Sequence, residues 1–305
     1  MSNVNSKAII DVHNHFVCKN TIDAFLNVYP KSFTEKFTKN GSEFVKRFEK
    51  MVGPEDRATQ LVENMKLNGV DQLLPMTFSG DEESGFLAHK KYPKELPGTI
   101  PILYPEYHTD PNILEEWRTK GAVAIKFYPA FWSYGFNDER IGPYLDKIRD
   151  LGLGVLIHFG VVKGGETRNV WPSNPLELKP WLTNSNSRYE DMKFIICHFG
   201  AGYLREILLM AYGFKKNIAV DTSGSNDWIF NSEWTDLNQV FSKTIRALGV
   251  ENIFFGTDSN FTLLREDVLR RQIGILEDLV TKKIISDDDR WNILGQNTLK
   301  QILKK

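Results

Sequence analysis

The strongest constraint on this chain is an alternation of short apolar runs with longer amphipathic stretches, repeated eight times. Each run is rich in β-branched or aromatic residues and shows no polar alternation, which is typical of strands buried on both faces of a parallel sheet. The eight runs cover residues 8–12, 70–76, 99–104, 122–127, 153–158, 193–198, 217–221 and 252–256.

The stretches between the runs carry helix signals. Pro54 opens one stretch and Gly69 closes it, while Asp110 and Pro111 precede another that ends at Gly121. Strand and helix therefore alternate eight times, which predicts an α/β fold, a closed (β/α)8 TIM barrel, with an open doubly wound sheet as the alternative. The length of 305 residues suits a single domain over residues 1–305, since such barrels take roughly 250 residues plus insertions.

One connection departs from a minimal barrel. Residues 16–52, between the first strand and its helix, far exceed the ~2–6 residues typical of such a loop. The segment is rich in phenylalanine and lysine, and two interpretations stay open. It is either a helical flap packed on the barrel or a lid over the active site that offers Lys46 or Arg47 to an anionic substrate.

Composition narrows the class of partner. Hydrophobic residues make up 41% of the chain, charged residues 25%, and the formal net charge is −1. Without a basic patch, nucleic acid or an anionic membrane is not the expected partner, so we predict a small-molecule substrate.

Cys18 and Cys197 are the only cysteines, too few for a disulfide framework. No apolar run approaches the ~18 residues of a membrane span, and a cytoplasmic location is expected.

Ligand-type side chains stand at the ends of the predicted strands. His13, His15, His158 and His198 each lie at a carboxyl end, and Asp258 follows the eighth strand. In a barrel these ends share one mouth. His13 and His15 are two residues apart on a strand and therefore point to the same side. Imidazole and carboxylate are ligands that Zn²⁺ favours, so the pattern predicts a metal site at the mouth.

Six motifs, DVHNHF, IKFYP, LIHFG, IICHFG, VDTS and FFGTDSN, occur in this order along the chain. Together they resemble the amidohydrolase superfamily, and in particular the amidohydrolase-2 group that includes aminocarboxymuconate-semialdehyde decarboxylase-like enzymes. The resemblance implies His13, His15, His158 and Asp258 as metal ligands. It implies that His198 orients a water, polarises the substrate carbonyl or binds a second metal. The implied cofactor is one divalent metal per chain, with zinc the first candidate and a second metal as an alternative.

The resemblance implies a hydrolase in which metal-bound hydroxide attacks an amide, ester or lactone carbonyl. Asp258 would take the proton of the water and deliver it to the leaving group. The alternative is a non-oxidative decarboxylase of a small carboxylic acid, which should need a cationic clamp near the metal. A non-catalytic binding protein on a barrel scaffold is a third hypothesis. Relatives of this kind are often dimers, so a homodimer is compatible with the resemblance.

Several residues keep more than one interpretation. Lys126 is a candidate bridging ligand of two metals after carboxylation, a substrate-binding or second-layer residue, or a structural lysine. Arg168 and Trp171, in the loop after the fifth strand, are candidate substrate-binding residues, with a surface or packing role as the alternative. Cys197 precedes His198, so strand alternation predicts that it turns outward as a core residue and is no nucleophile.

Overall fold

The computed structural model of the chain describes residues 7–29, 31, 34–35, 43–160, 173–183, 188–231 and 236–304. Eight parallel strands pair in sequential order there. They are β1 (Ile10–His15), β2 (Gln72–Thr77), β3 (Ile100–Leu103), β4 (Ala124–Phe127), β5 (Gly154–Ile157), β6 (Phe194–Ile196), β7 (Ile218–Asp221) and β8 (Ile253–Phe254).

Backbone hydrogen bonds between β1 and the segment after β8 close the barrel. The amide of Val12 donates to the carbonyl of Phe255 at 3.0 Å, and the amide of His15 donates to that of Ser259 at 2.7 Å. The (β/α)8 TIM barrel predicted from the alternating runs is therefore confirmed, and the open sheet is excluded.

The α-helices of the described ranges mostly follow the predicted stretches. They are α1 (Thr21–Val28), α2 (Glu43–Glu49), α3 (Pro54–Asn68), α4 (Glu82–Lys91), α5 (Ile113–Lys120), α6 (Gly142–Asp150), α7 (Lys179–Thr183), α8 (Leu204–Phe214), α9 (Leu237–Leu248), α10 (Glu266–Thr281), α11 (Asp287–Trp291) and α12 (Asn297–Gln301). Gly69 and Gly121 end α3 and α5 at φ 71° and 112°, where a Cβ would be unfavourable. Within these ranges, no helix combines the length and the apolarity needed to cross a membrane.

Alternate strand residues build two separate layers of core. One set faces the barrel axis and forms an interior cluster that includes Leu74, Ile102 and Leu156. The other set, with Ile125 and Ile157, packs outward against the helices. Side chains at the carboxyl ends of the strands that continue the inward set therefore line the mouth.

The described part of the long connection after β1 contains α1 and α2. Phe25 and Tyr29, in and just after α1, are buried against Phe78 and Phe131. Phe48 of α2 meets Phe261 edge to face, with ring centroids 5.0 Å apart. Some of the connection lies outside the described residues, and its role as a flap or a lid stays a prediction.

Candidate metal centre

Strand β1 contains a bulge that orients its two histidines towards the same side. Asp11 pairs with Leu73, but Asn14 pairs with Pro75, so β1 uses one residue more than β2 over this step. In a regular strand, Val12 in the interior cluster would turn His13 away from the axis. The bulge lets Val12 fill the interior while His13 and His15 lie together, with ring centroids 5.4 Å apart.

Both histidines converge on Asp258. Oδ1 of Asp258 lies 3.5 Å from Nε2 of His13 and 3.4 Å from Nε2 of His15. Nε2 of His13 is buried and has no hydrogen-bond partner among the described residues. Two imidazole nitrogens and a carboxylate oxygen at this spacing are a donor set that suits a divalent metal such as zinc. The residues present therefore fit the metal that the sequence implied.

Asp221, at the end of β7, orients His13 from the other side. Its Oδ2 lies 2.7 Å from Nδ1 of His13, so Nδ1 carries the proton and the lone pair of Nε2 faces Asp258. Its Oδ1 accepts the backbone amides of His198 at 2.8 Å and Ser223 at 3.1 Å, and the Ser223 hydroxyl. A carboxylate behind a histidine commonly fixes the tautomer of a metal ligand.

His158 and His198 form a second, connected pair. Ser223 donates its hydroxyl proton to Asp221, so Nδ1 of His198 must be the donor to Oγ of Ser223 at 2.8 Å and to its carbonyl at 3.1 Å. Nε2 of His198 then accepts Nδ1–H of His158 at 3.1 Å. This assignment, made from the hydrogen-bond network, leaves Nε2 of His158 with a free lone pair.

The segment after β6 corrects two sequence expectations. The strand ends at Ile196, and His198 has a left-handed backbone with φ 56°. This turn brings His198 to the mouth although Cys197 still faces the barrel interior. The prediction that Cys197 turns outward was wrong. Ile195 and Cys197 face the interior and Ile196 packs outward, so alternation continues through Cys197 and the left-handed turn at His198 departs from it. Cys197 is nevertheless a fully buried core residue.

Lys126 on β4 lies beneath this cluster. It continues the inward set after Ala124, its side chain is fully buried, and Nζ lies 2.7 Å from Sγ of Cys197. Its positive charge still acts on the histidines, since it contributes to lowering the pKa of both His13 and His158. Nζ of Lys126 therefore contacts a thiol rather than a histidine or carboxylate of the mouth.

Burial and neighbouring charges shift the pKa values of His13, His158 and Asp258. Burial, followed by the charge of Lys126, lowers the pKa of His13 to about 3. Burial and His198 hold the pKa of His158 well below its usual value. Burial alone would raise the pKa of Asp258, but His198 and the other neighbouring histidines outweigh it and lower that pKa. Neutral imidazoles and an ionised carboxylate are the forms that bind metal.

We expect metal binding to survive mild acid. His13 is neutral above its pKa of about 3, and the pKa of His158 is also lowered, so protonation of these two ligands should not remove the metal at the ~6.5 at which ordinary histidines protonate. The metal should be lost as the pH falls further towards the lowered pKa values. Metal content per chain after equilibration at each pH, with circular dichroism to verify folding, measures this. Loss of half the metal near pH 6.5 in a folded chain would contradict the expectation.

Asp11 joins the two strands that carry the ligands. Its Oδ1 accepts the backbone amides of His13 and Thr257, each at 3.0 Å, and its Oδ2 accepts the Thr257 hydroxyl at 2.6 Å. Burial raises the pKa of this carboxyl to about 7. Since Thr257 precedes Asp258, Asp11 holds His13 and Asp258 in register across the barrel closure.

Aromatic side chains surround the histidines and form what we call the aromatic wall. Its members are Tyr29, Phe78, Tyr104, Tyr128 and Phe131. Phe78 stacks on His15 with ring centroids 5.3 Å apart, and Tyr128 stacks on His158 at 4.2 Å. Tyr29 links the wall to α1 by stacking on Tyr104 at 5.8 Å. The aromatic wall therefore places flat apolar surfaces beside the histidines of the site.

Sequence reasoning missed Asp221, Ser223, Asp11 and the aromatic wall. Asp221 ends an apolar run in the same way as Asp258, and that signal alone could have identified it.

Of the remaining candidate substrate-binding residues, Lys46 on α2 is exposed, and Arg47 lies 5.9 Å from the ring of Phe261. Arg168 and Trp171 lie outside the described residues.

Comparison with known proteins gives one family and many similar folds. Residues 10–300 match the family model described as amidohydrolase. No curated protein matches the chain by sequence. Three solved structures illustrate the likeness in fold.

A 5-carboxyvanillate decarboxylase from Novosphingobium aromaticivorans, with bound manganese and 3-methoxy-4-hydroxy-5-nitrobenzoic acid, has a TM-score of 0.67 at 13% identity and covers 97% of each chain. A probable 2-pyrone-4,6-dicarboxylic acid hydrolase from Acinetobacter baumannii, with citric acid bound, has a TM-score of 0.63 at 15% identity, covering 96% of this chain and 98% of that one. A 4-oxalomesaconate hydratase from Rhodopseudomonas palustris has a TM-score of 0.61 at 16% identity, covering 97% and 96%.

Proposed function

Because the chain belongs to the amidohydrolase family, we propose that it is a metal-dependent hydrolase acting on an amide, ester or lactone carbonyl of a small molecule. The observation that carries the proposal is the convergence of Nε2 of His13 and His15 on Oδ1 of Asp258, at 3.5 and 3.4 Å. A buried, otherwise unpartnered imidazole nitrogen beside an ionised carboxylate suits metal binding.

His13, His15, His158 and Asp258 would hold the metal. When bound, a divalent cation supplies a Lewis acid that polarises a carbonyl and acidifies water. Zinc is our first candidate, because imidazole and carboxylate ligands suit it. Asp221 keeps the proton of His13 on Nδ1, and His198 keeps that of His158 on Nδ1, so both Nε2 lone pairs stay available.

Asp258 is the residue that would move the proton. Its lowered pKa keeps the carboxylate ionised at neutral pH, so an oxygen of Asp258 can accept a proton from the attacking water. The same oxygen then returns the proton to the leaving nitrogen or oxygen of the substrate. The aromatic wall would bind a flat apolar part of the substrate through Phe78 and Tyr128, which stack on His15 and His158.

A non-oxidative decarboxylase is the second candidate. The aromatic wall also suits a planar conjugated acid, and several structural neighbours are decarboxylases. That reaction should need a cation close to the metal to hold a carboxylate. Lys126 is the buried cation of the described site, and its Nζ contacts Cys197. This contact favours hydrolysis as the first proposal.

Incorporation of the oxygen of water into the product distinguishes the two candidate reactions. The metal-loaded chain would be incubated in ¹⁸O-labelled water with a panel of amides, esters, lactones and unsaturated or aromatic acids. Hydrolysis predicts one labelled oxygen in the product and no carbon dioxide. Carbon dioxide release without label would replace the proposal by decarboxylation. The chain treated with a chelator is the control, and equal turnover without metal would contradict both.

We expect the native chain and Lys126→Met each to hold one divalent metal per chain. Nζ of Lys126 lies against Cys197 rather than among the ligand atoms, and methionine keeps a buried unbranched side chain in its place. Elemental analysis of both proteins measures this. Two metals in the native chain, falling to one on substitution, would instead support a carboxylated bridging lysine.

A further inference from the structure

The barrel interior holds a lysine and a cysteine in direct contact. Lys126 and Cys197 are both fully buried, and Nζ lies 2.7 Å from Sγ. The contacts of the other cysteine are longer than this distance. Sγ of Cys18 lies 3.4 Å from Oγ of Ser84 and 3.9 Å from Oδ2 of Asp81. The amine therefore lies at a distance usual for a hydrogen bond to oxygen, although sulfur is the larger atom.

From this contact we propose that Lys126 and Cys197 are a modification site, at which peroxide joins Nζ to Sγ in a covalent sulfenamide cross-link. The link would tie β4 to the end of β6 directly under the metal-binding histidines. It is independent of which reaction the site catalyses.

Both side chains are fully buried, so an oxidant would have to reach them through the mouth of the barrel. Cys197 is the chain neighbour of His198, and the charge of Lys126 acts on His13 and His158, so the pair lies just below the mouth. A mouth that admits a substrate also admits hydrogen peroxide, a small neutral molecule.

The chemistry balances in two steps. Sγ of Cys197 attacks one oxygen of hydrogen peroxide; an S–O bond forms, the O–O bond breaks, sulfur is oxidised by two electrons, and the thiol proton leaves in a molecule of water. Nζ of Lys126 first releases its ammonium proton to water, and the resulting amine attacks Sγ; an N–S bond forms, the S–O bond breaks, and hydroxide leaves with an amine proton as water. One thiol, one ammonium and one peroxide thus give one sulfenamide, two waters and one released proton.

Proximity decides the fate of the sulfenic acid. A sulfenic acid normally condenses with a nearby nucleophile or is oxidised further to sulfinic acid. A nucleophile held at contact distance has an effective concentration of up to about 10⁸ M, so Nζ of Lys126 should react before a second peroxide. The sulfur of Cys18, in contrast, contacts oxygen atoms of Ser84 and Asp81 rather than an amine.

The test is peptide mapping of the purified full chain, before and after treatment with hydrogen peroxide and without reductant. The link blocks tryptic cleavage after Lys126 and joins residues 121–140 to residues 194–205. The joined pair should weigh about 2 Da less than the sum of the two reduced peptides, and a thiol should release it. Normal cleavage after Lys126, with Cys197 unmodified or oxidised to an acid, would overturn the proposal. A joined pair carrying an extra oxygen would overturn the second step.

Three variants assign the link. Cys18→Ser should cross-link as the native chain does, because its sulfur is not the one in contact with the amine. Cys197→Ser should give no link. In Lys126→Met, Cys197 should instead accumulate as sulfenic or sulfinic acid. A link that survives Cys197→Ser, or one that disappears in Cys18→Ser, would contradict the pairing, and the native chain alone tests it if a variant misfolds.

Discussion

Replacing Asp258 with asparagine should lower kcat/KM by about 10³-fold or more. Asparagine keeps the shape of the side chain but removes the negative charge that faces Nε2 of His13 and His15 at 3.5 and 3.4 Å. It also removes the base that would accept the proton of the attacking water. The fall should appear mainly in kcat, because the aromatic wall that would bind the substrate is unchanged. Steady-state kinetics together with metal content per chain separate loss of metal from loss of the base.

Asp267→Asn provides the matched control for this change. Asp267 is an acid at the start of α10 whose side chain is 75% exposed and lies 3.8 Å from Arg265. The same chemical substitution there should leave kcat/KM within experimental error, as is usual for surface changes. If Asp258→Asn keeps kcat/KM within tenfold of the native value while holding its metal, Asp258 is not the proton acceptor.

Much of the barrel could be predicted from the sequence because local signals and burial agree. Gly69 and Gly121 ended the predicted helices and do end α3 and α5 in left-handed conformations. The apolar runs located all eight strands because parallel strands are buried on both faces. Their ends were less predictable. β6 stops at Ile196, two residues early, because the left-handed turn at His198 leaves no trace in hydrophobicity.

The site was predictable in its ligand types and less so in its supporting residues. His13 and His15 could be placed on one side of a strand, but the bulge that turns both to the mouth depends on pairing with β2. The partner of Lys126 is Cys197, 71 residues away in sequence. Alternation counted back from His198 predicted the wrong side for Cys197, because His198 lies in a left-handed turn, so the contact with Lys126 was not foreseen. Such contacts depend on packing across the barrel, and no local sequence pattern predicts them.

Asp221→Asn should weaken metal binding by about 10- to 100-fold, although Asp221 touches no metal in the proposed site. The carboxylate accepts from Nδ1 of His13 with one oxygen and from the amides of His198 and Ser223 with the other. If the new amide turns its NH₂ towards His13, it donates to Nδ1 and the imidazole proton moves to Nε2, which blocks the ligand atom. If it turns its oxygen towards His13, the NH₂ opposes two backbone N–H groups. Both orientations therefore damage the site.

The dissociation constant of the metal, obtained by competition with a chelator, measures this effect, and the melting temperature of the metal-free chain reports the structural cost. Asp191→Asn is the control, because Asp191 is an 85% exposed acid paired with Lys216 at 2.7 Å. A tautomer effect predicts that Asp221→Asn lowers metal affinity even in preparations that fold normally. A variant with unchanged metal affinity and a lower melting temperature would mean that Asp221 only supports the fold. The isosteric amide thus tests whether a carboxylate behind His13 is needed for its charge and hydrogen-bonding direction or only for its volume.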